Sequence, residues 1–305
     1  MKVLVTGAGG FSGRHLIQHL VDTTSAEIYR TSLTPKNESN WIACDLTKSK
    51  ETSALIAEVG PDQIYHLAGV RTNEYQTDYQ VNVLSTLNLL ENIAQTKSRC
   101  RVLIAGSSAE YGFVAEEGNP VSEDHPLLPM SVYGLTKVYQ TCLMKFYCSR
   151  YLLDVVMARP FNLSGQGMSG KLFLGRLYEQ IEAYKAGRIS KILVGSLENR
   201  RDYVPIEQAV RYYALIMQRG KSGEIYNVGS GASIKIRDLL RSILEENGLS
   251  IGIVEEQISR EPDAFDIKDL VADISKLKTL VAASPPSKIL TNTTTETPSP
   301  KLLAS

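Results

Sequence analysis

Tyr133 and Lys137 stand four positions apart in Tyr133-Gly134-Leu135-Thr136-Lys137. On a helix this spacing puts both on one face, a turn apart. A free tyrosine holds its proton to a pKa of about 10, too tightly for efficient acid–base work near neutrality. A neighbouring ammonium group stabilises the phenolate and lowers that value. Ser107 follows the apolar run Arg101-Val102-Leu103-Ile104-Ala105, which predicts a strand. At the end of that strand its hydroxyl can hydrogen-bond an oxygen undergoing reaction. The three side chains predict proton transfer: Tyr133 as acid, Lys137 as the charge that tunes it, Ser107 as the donor that orients the oxygen. A Tyr-x-x-x-Lys pair alone arises by chance on many helices, so the argument needs a second feature.

That feature is at the N-terminus. Lys2-Val3-Leu4-Val5-Thr6 predicts a buried strand, and Gly7-Ala8-Gly9-Gly10-Phe11-Ser12-Gly13 a glycine-rich turn. Residues 14–22 predict a helix with Leu16, Ile17, Leu20 and Val21 inward. Strand, glycine turn and helix together make a phosphate cradle, because N–H groups at a helix start point at an anion. The spacing Gly7-x-x-Gly10-x-x-Gly13 differs from the common G-x-G-x-x-G. The turn predicts dinucleotide binding through Gly7, Gly10, Phe11, Ser12 and Gly13. The plainer alternative is a strand–helix turn that needs glycine only for positive φ.

The second strand, residues 27–31, leads into Tyr29-Arg30-Thr31-Ser32, with Lys36 beyond and no acid at its tip. An acid there favours NAD through the ribose hydroxyl, whereas a cation suits a 2′-phosphate. Arg30 and Ser32 therefore predict NADP(H), with NAD(H) as the alternative.

The elements that must position these residues alternate. Strands are predicted at 41–44, 63–68, 101–105 and 154–158, and helices at 48–59, 78–95 and 132–151. This pattern predicts an α/β fold, a doubly wound parallel sheet of Rossmann type with its ligands at the C-terminal strand ends. A smaller mixed α/β substrate domain should follow. Its predicted elements are helices at 171–186, 207–218 and 236–246 and strands at 192–194, 202–206 and 224–228. The expected domains are residues 1–161 and 162–281, with 202–219 packing back on the first. Residues 282–305 carry Pro285-Pro286 and Thr293-Thr294-Thr295 without periodicity and predict a disordered tail.

Composition narrows the class. The chain has 305 residues, 43% hydrophobic and 22% charged, and Lys+Arg equals Asp+Glu at 33 each. No global field draws it to nucleic acid or a membrane surface, and no apolar run approaches the roughly 20 residues of a membrane span. Cys44, Cys100, Cys142 and Cys148 lack C-x-x-C spacing and predict reduced thiols in a cytoplasmic protein. His15 and His19 lie one helical turn apart without an acidic partner, so no metal site is expected. The helices at 78–95 and 132–151 are apolar on more than one face. A partner subunit offering the same two helices would cover them, which predicts a homodimer. Cover by the second half of the chain is the alternative.

Taken in order, several motifs resemble those of extended short-chain dehydrogenases/reductases of the nucleotide-sugar-modifying branch. They are Gly7-x-x-Gly10-x-x-Gly13, Cys44-Asp45-Leu46, His66-Leu67-Ala68-Gly69, Asn82, Gly106-Ser107-Ser108-x-x-Tyr111-Gly112 and Tyr133-x-x-x-Lys137, followed by Arg159-Pro160-Phe161-Asn162, Arg201-Asp202-Tyr203 and Tyr226-Asn227-Val228-Gly229. The resemblance spans about residues 1–281. It implies that Asp45 and Leu46 border the adenine. It implies that Leu67, Ala68, Gly69, Asn82 and Pro160 line the cofactor, and that Ser107, Tyr133 and Lys137 form the catalytic triad, Lys137 holding the nicotinamide ribose. Ser108, Asn162, Lys171, Arg201, Arg260 and Asp263 are the implied contacts to a nucleotide sugar.

Within this branch, 4,6-dehydratases usually carry an acid two positions before the tyrosine of the Tyr-Gly pair. Here Ala109 stands there, and Glu110 is one position off. The motifs resemble GDP-4-keto-6-deoxy-D-mannose reductases most, which implies reduction of that sugar to GDP-D-rhamnose. The alternatives are an NDP-sugar 4-epimerase or 4,6-dehydratase with bound NAD, and an inactive cofactor-binding protein. The chain departs from the branch at Val132, where proline is frequent, at Gln208, where a second aspartate is usual, and in its C-terminal stretch.

Overall fold

Apolar runs that bury both faces require a parallel sheet between two helical layers. The computed structural model, which describes residues 1–170, 172–257 and 267–283, has this arrangement. In chain order the first elements are β1 (Lys2–Thr6), α1 (Phe11–Thr23), β2 (Glu27–Ser32), β3 (Trp41–Ala43), α2 (Ser49–Val59) and β4 (Gln63–His66). A continuous helical run follows: α3 (Tyr75–Asp78), a π-helical stretch (Tyr79–Leu84) and α4 (Ser85–Thr96). Then come β5 (Arg101–Ala105), α5 (Val132–Tyr151), β6 (Val155–Pro160), β7 (Asn162–Ser164), α6 (Phe173–Lys185), β8 (Ile192–Val194) and β9 (Arg200–Pro205). The last are α7 (Ile206–Arg219), β10 (Ile225–Val228), β11 (Ser233–Lys235), α8 (Ile236–Glu246), β12 (Val254–Glu256), β13 (Asp269–Leu270) and α9 (Ser275–Ala282).

Seven strands form the main sheet in the order β10-β6-β5-β4-β1-β2-β3, every pair parallel. Strand alternation sends Val3 and Val5 to the core beneath α1 and α7, and Leu4 to the core beneath α2, α4 and α5. The chain order reverses at β1, between β4 and β2, the place at whose C-terminal strand ends open α/β sheets bind their ligands. The second lobe has β11-β9-β13 with β7 on β9, and a separate β12–β8 pair. Leu177, Ile181, Leu240 and Ile243 of α6 and α8 fill its core.

The boundaries differ from expectation in informative ways. Helix α1 starts at Phe11 rather than 14, because the glycine turn closes with Gly10 N–H donating to the Gly7 carbonyl at 2.9 Å. The return to the main sheet runs past 202–219. It includes β10, all four residues of which are buried, and α9, which packs on α7 and β10. The expected tail falls almost wholly on residues 284–305, outside the described residues, as do Lys171, Arg260 and Asp263. Among the described residues no helix is long and apolar enough to cross a membrane, and no cluster of metal-ligating side chains occurs. The four cysteines are unpaired, Cys44 and Cys100 buried and Cys142 exposed.

Candidate nucleotide and proton-transfer site

The glycine turn is built for close approach. Gly7 has φ +67°, and a Cβ there would lie 2.7 Å from the Ala68 nitrogen. A Cβ on Gly13 would lie 2.3 Å from the Gly7 carbonyl oxygen, so the first turn of α1 presses on the turn that precedes it. No side chain caps α1 at Gly10, which leaves the N–H groups of its first turn available to an anion. Phe11, Ser12 and Gly13 form that first turn.

Leu67, Ala68 and Gly69 continue from β4 beside the cradle. Ala68 N–H donates to Thr6 Oγ1 at 3.3 Å, and Thr6 Oγ1 is 2.8 Å from His66 Nδ1. Burial and the nearby Lys137 charge push His66 down to about 3, so it is neutral and structural. Buried Asn82 grips the next residue twice: its Oδ1 accepts from Val70 N–H at 2.8 Å and its Nδ2 donates to the Val70 carbonyl at 2.9 Å. The same Nδ2 reaches Thr136 Oγ1 of α5 at 3.0 Å. Asn82 therefore braces the Gly69 loop against the helix that carries Tyr133 and Lys137. It does so from the π-helical stretch, a widened turn that frequently marks functional sites.

In the loop after β3, Asp45 Oδ1 accepts from Thr47 Oγ1 at 2.7 Å and Thr47 N–H at 3.0 Å, which holds its carboxyl below the ordinary range. Leu46 is buried and its carbonyl accepts from Asn88 Nδ2 at 2.9 Å. Ser32 Oγ donates to the Thr34 carbonyl at 2.5 Å. Arg30 donates to the Ser39 carbonyl at 3.4 Å, within the loop that follows β2. Pro160 closes β6, the strand beside β5.

Ser107, Tyr133 and Lys137, the predicted proton-transfer residues, converge between the end of β5 and α5. Ser131 caps α5, its Oγ accepting from Gly134 N–H at 3.0 Å, and so fixes the helix start next to Tyr133. Buried Lys137 donates to the Ala105 carbonyl at 2.9 Å, with its Nζ 5.6 Å from the centre of the Tyr133 ring. The Ser107 hydroxyl acts on the Tyr133 phenol to lower its pKa. The electrostatics differ from expectation. Enclosure raises the Tyr133 pKa above the ordinary value, and Ser107 and then Arg71 pull it back. The guanidinium of Arg71 stands 5.7 Å from the ring centre. Burial drives Lys137 down to about 8, against an upward pull from Glu110. Thus Lys137 is not the group that offsets the raised phenol; sequence reasoning missed Arg71, which sits on an irregular loop with no motif around it.

Ser107 is held from below. Its Oγ accepts from Ala109 N–H at 3.2 Å, and its N–H donates to Glu110 Oε1 at 2.9 Å, a reciprocal capping box. Ser108 opens the 3₁₀ turn that this box closes. The other oxygen of Glu110 pairs with Arg159 at 2.8 Å, both side chains fully buried, and accepts from Thr141 Oγ1 at 2.5 Å. Arg159 also reaches the Tyr111 hydroxyl at 2.9 Å, and that hydroxyl donates to Asn227 Oδ1 at 2.6 Å. Glu110 is thus committed beneath the site and does not face a substrate.

On the second lobe, Asn162 Nδ2 donates to the Asp202 carbonyl at 3.0 Å, and Arg201 donates to the Arg200 carbonyl at 2.7 Å. The buried Asp202 carboxylate collects Ser230 N–H and Oγ, Gly231 N–H and Ala272 N–H. Those bonds fix the strand from which Arg201 projects. Elsewhere, an apolar groove of about 490 Å³ lies between the 75–96 helical run and α5, lined by Tyr75, Tyr79, Val83, Tyr139, Leu143 and Phe146.

Comparison with known proteins bears on this geometry. The model of the NAD dependent epimerase/dehydratase family matches residues 3–229. A GDP-6-deoxy-D-mannose reductase of Pseudomonas aeruginosa is 28% identical over 261 residues, which cover 84% of this chain and 83% of the relative. A putative UDP-glucose 4-epimerase of Methanocaldococcus jannaschii is 28% identical over 291 residues, 91% of this chain and 92% of the relative. A solved structure of RMD from Pseudomonas aeruginosa complexed with NADPH superposes with a TM-score of 0.80 at 25% identity, over 94% of each chain.

Proposed function

The chain belongs to the NAD dependent epimerase/dehydratase family, and on that premise we propose that it is an NADP(H)-dependent reductase of a nucleotide-linked 4-keto-6-deoxyhexose. The substrate we assign is GDP-4-keto-6-deoxy-D-mannose and the product GDP-D-rhamnose, in line with the reductase relative. The dinucleotide fits the cradle, because Cβ atoms at Gly7 and Gly13 would collide with backbone and the first turn of α1 is uncapped. The Gly7–Gly13 turn would hold the reduced dinucleotide, whose chemistry there would be hydride donation to the C4 carbonyl carbon.

The protein supplies the proton and the geometry. Tyr133 gives its phenolic proton to the C4 oxygen as that oxygen gains charge. The Ser107 hydroxyl donates to the same oxygen and holds it in line. Lys137, anchored on the Ala105 carbonyl, stands beside the phenol, and the Arg71 guanidinium stabilises the phenolate left behind. A phenol whose enclosure keeps its proton on is in the form that a reductase needs at the start of its cycle. Asn162 and Arg201 offer polar and cationic contacts to the sugar diphosphate.

The observation that carries this reading over dehydration is Glu110. It is the one acid between Ala105 and Tyr111, and it is locked under Ser107 by Arg159. A carboxylate so buried is not free to take a proton from C5 of a sugar. NADPH absorbance after addition of GDP-4-keto-6-deoxymannose tests the proposal. Loss of one NADPH per sugar supports reduction; sugar conversion without loss would establish an epimerase instead. A Tyr133→Phe protein that keeps full cellular function would favour the inactive binding protein.

We further take the working form to be a cytoplasmic homodimer. The unpaired buried thiols Cys44 and Cys100 suit a reducing compartment. The apolar groove along the 75–96 run and α5 suits a two-fold contact, with Tyr75 at 47% and Phe146 at 52% exposure.

A further inference from the structure

The loop between β2 and β3 holds an arrangement that the glycine turn does not need for its own fold. Lys36 bends back over Trp41, with its Nζ 3.7 Å from the ring centre. The same Nζ is 3.9 Å from the point a Cβ on Gly9 would occupy. An ammonium group therefore rests at the lip of the phosphate cradle. Among the described residues it has no carboxylate partner.

Its platform is firm. Trp41 lies on β3, its indole N–H donates to Glu38 at 3.0 Å, and its ring packs against the core on the α1 side of the sheet. Arg30 is the register partner of Trp41, and its guanidinium turns to the Ser39 carbonyl at 3.4 Å. The tip residues Thr31, Ser32, Leu33 and Thr34 carry no carboxylate that would receive a ribose 2′-hydroxyl or repel a phosphate. The contact of Lys36 with the indole is a weak restraint beside a charge-assisted bond to a phosphate dianion. An anion at the ribose edge therefore outcompetes the ring for the ammonium.

We propose that Lys36, and not Arg30, selects the 2′-phosphate of NADP(H), leaving the Trp41 ring when the cofactor seats. The inference rests on the cofactor reading above and names the residue that enforces it. Trp41 is the resting place of the cation, and it is the single tryptophan of the chain, so its emission reports the move.

The test titrates the whole protein with adenosine 2′,5′-bisphosphate and with adenosine 5′-monophosphate while Trp41 emission is followed. Neither probe carries a nicotinamide, so no energy transfer to that ring confuses the signal. In the wild type the bisphosphate binds about tenfold or more tightly than the monophosphate and changes the emission further. Lys36→Ala brings the two affinities within about twofold and leaves the monophosphate affinity as it was. Lys36→Glu reverses the preference. A preference that persists in Lys36→Ala, or that vanishes in Arg30→Ala alone, overturns the assignment to Lys36 and leaves the cofactor reading intact. Equal affinity of the wild type for both probes overturns the NADP(H) reading as well. Lys36 is exposed, so its variants test binding without threatening the fold.

Discussion

Lys137→Met should make this protein more stable and inactive at once. Lys137 is buried and burial drives it down to about 8 from the ordinary 10.5. A lysine so displaced carries its charge into the fold at a penalty of roughly 3 kcal/mol. The penalty is complete below pH 8. Between pH 8 and 10.5 the unfolded chain holds a proton that the folded chain has released, so the contribution to stability rises with pH. Methionine fills a similar volume and carries no charge, but it orphans the Ala105 carbonyl, at a cost of about 1–2 kcal/mol. The variant should therefore gain about 1–2 kcal/mol over wild type at pH 6.5, and near pH 10, where only about 1 kcal/mol of the penalty remains, that gain should vanish or turn into a loss of up to about 1 kcal/mol. Urea unfolding followed by circular dichroism at both pH values measures this, and reductase assays should show a loss of about a hundredfold or more. A variant less stable than wild type at pH 6.5, or a gap that does not change with pH, refutes the reasoning.

Glu110→Gln should destabilise the fold by about 3–5 kcal/mol, since it strands a fully buried guanidinium, whereas Glu110→Leu combined with Arg159→Met should recover most of the loss in a denaturation cycle. Arg71→Gln removes a cation that draws the Tyr133 pKa down; the pH–rate profile of alcohol oxidation, the direction that needs the phenolate, should move to higher pH with the fold unchanged. Tyr79→Asp combined with Phe146→Glu places charge in the apolar groove and should yield a monomer by light scattering, with far-ultraviolet dichroism as in the wild type.

Local pattern revealed the elements, and distance in the chain hid their partners. The run Arg101–Ala105 and the helix Val132–Tyr151 were legible to the residue, because apolar spacing declares them. The sheet to which Ile225–Val228 belongs was not, since its four buried residues suit either lobe and its pairing with β6 is a long-range choice. Glu110 could be seen to miss the dehydratase position. That it anchors Ser107 depends on Arg159, which lies 49 positions away and carries no charge pattern that points back. The cations at the strand tip were visible as a set, but only the fold of the loop separates Arg30, turned to Ser39, from Lys36, turned to the cradle. The raised Tyr133 phenol depends on enclosure, which residue spacing does not encode.

The path of the chain between its lobes also limits how this enzyme could be re-engineered. The backbone leaves the main sheet after β6, returns through α7 and β10, leaves again for β11 and α8, and comes back at α9. On the last passage, Val121 N–H donates to the Val271 carbonyl at 2.7 Å, and Asp273 N–H to the Val121 carbonyl at 2.8 Å, which stitches the end of the second lobe to the loop after β5. The lobe is thus two separate inserts in a continuous scaffold. A chimera that exchanged everything after residue 161 would discard β10 and with it an edge of the main sheet. On the proposed function, transplanting a sugar preference would require replacing 162–205 and 229–270 together while keeping the α7–β10 passage native.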